Sequence, residues 1–116
     1  RSIDTIRLSQ GVAWFSFKNI CDGPRSSKDY IEISKEFHTL LVSDIPILSK
    51  LKENETRRFI ALVDECYERK VNLIISSEKK IKEIYSGSKL LKPIQRTLSR
   101  LEEMKSREFL SLPHLS

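Results

Sequence analysis

The sequence predicts an α/β fold: a three-layer-type parallel βαβ core, preceded by an N-terminal β-hairpin and closed by a C-terminal helix. Three observations carry that expectation. Two short, nearly continuous apolar runs, "HTLLVSD" (residues 38–44) and "VNLIISS" (residues 71–77), have the length and β-branched content of buried strands. Between them Phe59, Ile60, Val63, Cys66 and Tyr67 recur at helical spacing, so the strands are joined by an amphipathic helix. Parallel strands joined through a helix are almost always wound right-handed, and strands apolar on both sides imply helices covering the sheet.

The elements follow in order along the chain. Runs from Ile3 to Leu8 and from Val12 to Phe17 flank Ser9-Gln10-Gly11, which suits a hairpin whose glycine supplies the positive φ. "CDGPRSS" is turn chemistry, and Ser26 with Asp29 three residues on resembles a capping box opening a helix that runs to about Phe37. After the first core strand, Pro46 and the polar residues that follow mark a connection, and Asn54 is placed to cap a helix over Glu55 to Arg69. A short helix is expected around Lys79 to Tyr85, broken at Ser86-Gly87-Ser88. Pro93 suits the first position of a last helix reaching about Leu110, with Ile94, Leu98 and Leu101 inward. On that continuous helix Arg96, Arg100, Glu103 and Arg107 would share one face.

The 116 residues are sized for a single domain, residues 1–116, able to bury its own core. With 39% hydrophobic and 32% charged residues and few glycines or prolines, the composition excludes a disordered or fibrous chain. No apolar run approaches the roughly 18 residues of a membrane span. Arg1 stands first with no charged-then-apolar leader behind it, which reads as a fragment of something longer. The net charge of +5 arises from basic and acidic residues interspersed throughout, so nucleic-acid binding has only the net charge behind it. Cys21 and Cys66 match no metal spacing and read as reduced structural thiols of a cytosol-like compartment.

Asp44, ending an apolar strand, invites a reading as a magnesium-binding carboxylate at the ligand-binding edge of an open α/β sheet. Two features oppose it. Residue 45 is isoleucine where a second acid would help, and no stretch matches the phosphate-cradling pattern G-x-x-x-x-G-K-[ST]. Asp44 therefore reads as a turn-forming residue, and no catalytic or metal-ligating residue is assigned. His38 and His114 have no Glu or Cys at ligand spacing. Ser76-Ser77-Glu78 could place hydroxyls near a ligand, though such residues more often cap the next helix. Arg96, Arg100 and Arg107 could engage phosphate, with a solvated or salt-bridged face as the plainer reading. Arg57 and Arg58 oppose the dipole at the start of their helix and so call for a carboxylate or an anion.

Four ordered blocks, "WFSFKNICDGPRSSKDY", "FHTLLVSDIP", "RRFIALVDECYERKVNLIISSE" and "QRTLSRLEEMKSREFLSLPHL", closely resemble the C-terminal part of the ZapE family of AAA+-like P-loop ATPases. That family takes in a bacterial division-associated ATPase and mitochondrial relatives linked to protein quality control. Its pattern falls on Trp14, Phe15, Phe17, Cys21, Pro24, Arg25, Asp29 and Tyr30, then on Arg58, Phe59, Ile60, Asp64 and Tyr67, and finally on Arg96, Thr97, Ser99, Arg100, Leu101, Glu103 and Met104. Ile20, Lys105 and Phe109 depart mildly from it, the last leaving open any role for a tyrosine hydroxyl.

The resemblance implies that ATP and magnesium serve the full-length protein, with the phosphate loop, the acidic magnesium strand and the first sensor in an N-terminal half that this chain lacks. The chain alone is then expected to bind no cofactor and hydrolyse no ATP. Its strand, helix and strand look like a degenerate echo of such a half-core. The implied partner is the protein's own N-terminal nucleotide-binding domain, with cell-division proteins or further copies beyond it. A cytoplasmic setting is implied, a mitochondrial one being the alternative. Arg96 and Arg100, then Arg58 and Arg25, are the candidates for sensing nucleotide. A different class of function, a non-catalytic interaction module, would dock a protein partner through Trp14 and Phe15 on the aromatic hairpin.

Overall fold

A four-stranded sheet in the order β1-β2-β3-β4 organises the chain, whose computed structural model describes residues 3–116. Strand β1 (Arg7–Ser9) runs antiparallel to β2 (Val12–Ser16), and β2, β3 (Thr39–Ile45) and β4 (Asn72–Ser77) are parallel. The hairpin forms as the sequence predicts, with Gly11 at φ +74°. A Cβ on Gly11 would collide with the His38 ring. The same close approach lets the Gly11 carbonyl accept the N–H groups of His38 (3.0 Å) and Thr39 (3.3 Å), which ties the hairpin to β3.

Five helices follow from local chemistry. Helix α1 (Phe17–Cys21) buries Phe17, Ile20 and Cys21 at helical spacing, and the Ser16 hydroxyl opens it by accepting the Asn19 N–H at 3.1 Å. Helix α2 (Ser27–Glu36) opens on the expected capping box, the Ser26 N–H donating to Asp29 Oδ2 at 2.9 Å. Helix α3 (Glu53–Glu68) begins before Asn54, after a 3-10 turn over Lys50–Lys52, and Glu53 and Glu55 in its first turn offset the arginines that follow. It ends in a Schellman geometry: Val71 N–H reaches the Cys66 carbonyl, Lys70 N–H reaches that of Tyr67, and Lys70 takes φ +59° where glycine is usual.

The expected helix at Lys79–Tyr85 is only a 3-10 turn, Ile81–Glu83. Helix α4 (Leu91–Glu103) holds Pro93 within its first turn, where the missing N–H is harmless. It stops well short of Leu110. Ser106 breaks the run, its hydroxyl accepting the Phe109 N–H at 3.1 Å to start a separate turn of helix, α5 (Arg107–Leu110). Arg107 is thereby removed from the face that Arg96 and Arg100 share.

The strands are laid down in one direction, so the right-handed crossovers through α2 and through α3 fall on the same side of the sheet. Burial agrees. Ala13, Phe15, Leu40 and Val42 are buried beneath the helices, while their neighbours Trp14, Leu41 and Ser43 are only half-buried. Helix α2 packs on α3 and α3 on α4, around Tyr30, Phe59, Leu62 and Val63. Each such buried aliphatic or aromatic side chain contributes about 1.5–3 kcal/mol. The second helical layer expected from the apolar strands does not occur among the described residues.

Candidate functional site

The carboxyl ends of β3 and β4 frame a cleft of about 390 Å³ lined by Asp44, Ile45, Pro46, Ser76, Ser77 and Glu78. Asp44 sits in a bulge between Val42 and Ile45 at φ +62°, a left-handed conformation that aspartate tolerates better than most side chains. Its N–H donates to Ser76 Oγ at 3.0 Å, and its exposed carboxylate has no partner among the described residues. Glu78 is engaged by the Ile47 N–H at 3.1 Å. On the other side of Asp44 a cleft of about 300 Å³ brings in Asp22 and Glu55, but Lys18 and Lys52 line it as well. No three acidic, cysteine or histidine side chains among the described residues converge to hold a metal ion.

Topology weighs against this edge in the same direction. Open α/β sheets bind ligands where the strand order reverses and adjacent crossovers part to opposite faces. Here β2, β3 and β4 are wound one way, so no crevice of that kind opens beside Asp44.

The four arginines singled out in the sequence are not gathered at one point. Arg25 donates from Nε (3.1 Å) and Nη2 (2.9 Å) to the Asn19 carbonyl, bracing the turn after α1. Arg58 donates to the Cys21 carbonyl at 3.3 Å and pairs with Glu55 at 3.8 Å, the carboxylate that its position in the first turns of α3 called for. Arg100 pairs with Asp64 at 2.7 Å and lies 4.5 Å over the Tyr67 ring. Tyr67 in turn donates to Glu103 and stacks on Phe109 with ring centroids 5.8 Å apart, so Arg100 belongs to a strut joining α3, α4 and α5. The Glu103 carboxylate, as hydrogen-bond acceptor, holds the Tyr67 hydroxyl above its ordinary pKa. Arg96 alone of the four is exposed and without a partner among the described residues.

The aromatic pair separates. Phe15 is 2% exposed and faces the helices, so it offers nothing to a partner. Trp14 points the other way, its indole N–H donating to Ser43 Oγ at 2.9 Å. From the registers, the face opposite the helices presents Val12, Trp14 and Ser16 from β2, Thr39, Leu41 and Ser43 from β3, and Asn72, Ile74 and Ser76 from β4. None of these positions is charged, in a chain in which 32% of residues are. A shallow apolar groove of about 200 Å³ runs between Trp14, Leu41 and Ile74. Sequence reasoning placed Trp14 at a surface but missed this face. Its signal is the alternation of apolar and small polar residues without a charge along β2, β3 and β4, which the overall apolar character of these strands obscures.

The remaining reactive groups are structural. Cys21 and Cys66 are fully buried; desolvation pushes the Cys21 thiol up to about 12 and raises that of Cys66 as well. Tyr30, also raised chiefly by burial, donates to the Ile20 carbonyl at 2.8 Å. His38 packs against Gly11, and His114 donates through Nε2 to the Ser34 carbonyl at 2.6 Å, far from it in the chain.

A family model described as AFG1-like ATPase matches residues 1–113. Over all 116 residues the chain is 46% identical to a cell division protein named ZapE in Escherichia coli K12, of which it covers 31%. It is 40% identical over 73% of its length to an uncharacterized protein of Schizosaccharomyces pombe, covering 19% of that protein. It is 30% identical over 67% of its length to lactation elevated protein 1 homolog B of Danio rerio, covering 16% of it. The chain thus spans less than a third of the length of the curated relatives it matches. No solved structure matches it at a significant level.

Proposed function

The chain belongs to the AFG1-like ATPase family, and from that premise we propose that it is the non-catalytic C-terminal part of an ATP-hydrolysing enzyme linked to cell division, packing on the enzyme's own nucleotide-binding part. ATP and magnesium are held there. The residues of this chain do not fit that group: no phosphate loop is present, the Glu78 that shares a cleft with Asp44 is taken by the Ile47 N–H, lysines line the cleft that Asp44 shares with Asp22 and Glu55, and no three ligands converge among the described residues. A cytoplasmic setting belongs to this reading, and no helix of the described residues is long and apolar enough to cross a membrane.

Within the reading, Arg96 is the group that reaches nucleotide. One observation supports it: Arg25, Arg58 and Arg100 are committed to carbonyl or carboxylate partners, whereas Arg96 stands exposed on α4 with none among the described residues. A guanidinium brought to a terminal phosphate stabilises the negative charge that spreads over its oxygens during transfer. The test is Arg96→Ala in the full-length enzyme, with Arg107→Ala as an equally exposed control. Turnover at saturating ATP should fall at least about tenfold in the first and stay level in the second. Equal turnover in both would refute the sensing role.

A second reading, a docking module, retains Trp14 but loses Phe15, which is buried.

A further inference from the structure

A parallel sheet is almost always covered on both faces, because a βαβ winding gives its strands apolar side chains on each side. Here one face has α2 and α3, and the other is bare among the described residues. That bare face differs from an ordinary solvated one: it has no charge on β2, β3 or β4, an apolar centre of Trp14, Leu41 and Ile74, and hydroxyls around it, with a single cation, Arg7, beside Trp14 on the edge strand β1. Loss of charge around a large aromatic is the composition of a buried contact surface. Ile74 is 54% exposed in the middle of its strand, where Ser76 is the other exposed residue.

We propose that this face is the seat of a helical layer supplied by the nucleotide-binding part of the same full-length polypeptide, an inference that rests on the reading above. Two arguments select that occupant over a second copy of this chain. The chain's longer helices, α2, α3 and α4, already turn their buried residues inward, towards Tyr30, Phe59 and Ile94, and their outer sides carry Glu32, Lys35, Arg57 and Glu68. Such outer sides would bring unpaired charge onto β2, β3 and β4, which offer none in return on this face; the one cation in register with it, Arg7, lies on the edge strand β1. The relatives, meanwhile, have more than twice as much polypeptide beyond the matched region as within it, enough for a covering layer.

Cysteine labelling reads the cover directly. Cys21 and Cys66 are buried and silent, so Ile74→Cys places a reporter on the face and Leu51→Cys, at a residue 94% exposed, serves as an open control. Each is made in the full-length protein and mapped by mass spectrometry after brief maleimide exposure. Ile74→Cys should label at least about tenfold more slowly than Leu51→Cys, at a rate independent of protein concentration, and Ser76→Cys should follow it. Equal rates at the two sites would overturn the proposal, as would protection that appears only as concentration rises, the mark of a second copy. ATP binding, measured on the same samples, separates the two claims. Free labelling in a protein that binds ATP defeats the cover alone, whereas protection in one that does not defeats the ATPase reading alone.

Discussion

Replacing Arg100 by alanine should cost stability rather than nucleotide affinity. The guanidinium lies 2.7 Å from Asp64, with the two side chains 17% and 35% exposed, and it covers the Tyr67 ring. A partly exposed pair of this geometry contributes about 1 kcal/mol net once side-chain ordering and screening are counted. Removing the buried stem as well brings the expected loss to about 1–2 kcal/mol. At roughly 2.1 cal/mol/K per residue, unfolding a chain of this length carries an entropy of about 240 cal/mol/K, so the melting temperature should fall by about 4–8 °C. Calorimetry of the 116-residue chain measures it, and a double-mutant cycle with Asp64→Asn should return a coupling of about 1 kcal/mol. Arg100→Lys, which keeps charge but not the planar fork, should lie between. An unchanged melting temperature with zero coupling would refute the strut, and lost ATP affinity in the full-length protein would then return Arg100 to nucleotide sensing.

Asp44→Gly relieves a left-handed backbone whose carboxylate has no partner, so chemical denaturation should show stability unchanged or raised by up to about 1 kcal/mol; a clear loss would mean that the carboxylate is bonded. Gly11→Ala should destabilise by more than Gly23→Ala although both have positive φ, about 2–3 against about 1 kcal/mol, because only the first drives a Cβ into a neighbouring ring; the same urea melts rank the pair. The Cys21 thiol, pushed from its ordinary 9.0 to about 12 by burial, favours the folded state in full below pH about 9. The unfolded state loses that proton first, so stability should decline as pH climbs from about 9 towards about 12, with Cys66 and Tyr30 acting in the same sense. Cys21→Ala should flatten part of that decline, and an unaltered slope would exclude the thiol as its source.

Much of this fold is legible in the sequence, because local rules and global packing agree. Ser26 with Asp29 reads as a capping box and is one; Gly11 reads as a turn glycine and has positive φ; the spacing of Phe59, Val63 and Cys66 reads as a buried stripe and lies in the core. The losses fall where a hydroxyl outweighs periodicity. Ser16 starts α1 where the burial pattern turns from alternation in β2 to the helical spacing of Phe17, Ile20 and Cys21, a run too short to stand out, and Ser106 separates α5 from α4. The site was less legible for a different reason. The Arg58 partner, Glu55, is one turn away on the same helix and follows from local spacing, whereas the Arg100 partner, Asp64, is on another helix and is brought to it by packing alone. Phe15 and Trp14 are adjacent in the chain, and only strand register decides that one is core and the other surface. The winding direction that leaves one face bare and denies Asp44 a crevice is a property of strand order, which no window of sequence contains.

On this reading the chain holds no nucleotide by itself and belongs to an ATPase whose phosphate-binding machinery lies in another part of the enzyme. Titration calorimetry of the 116-residue chain with magnesium and ATP tests it most directly, with Asp44→Ala as the paired variant. Neither protein should give saturable heat. A stoichiometric isotherm that requires magnesium and disappears in Asp44→Ala would contradict it, and would make the end of β3 a working site.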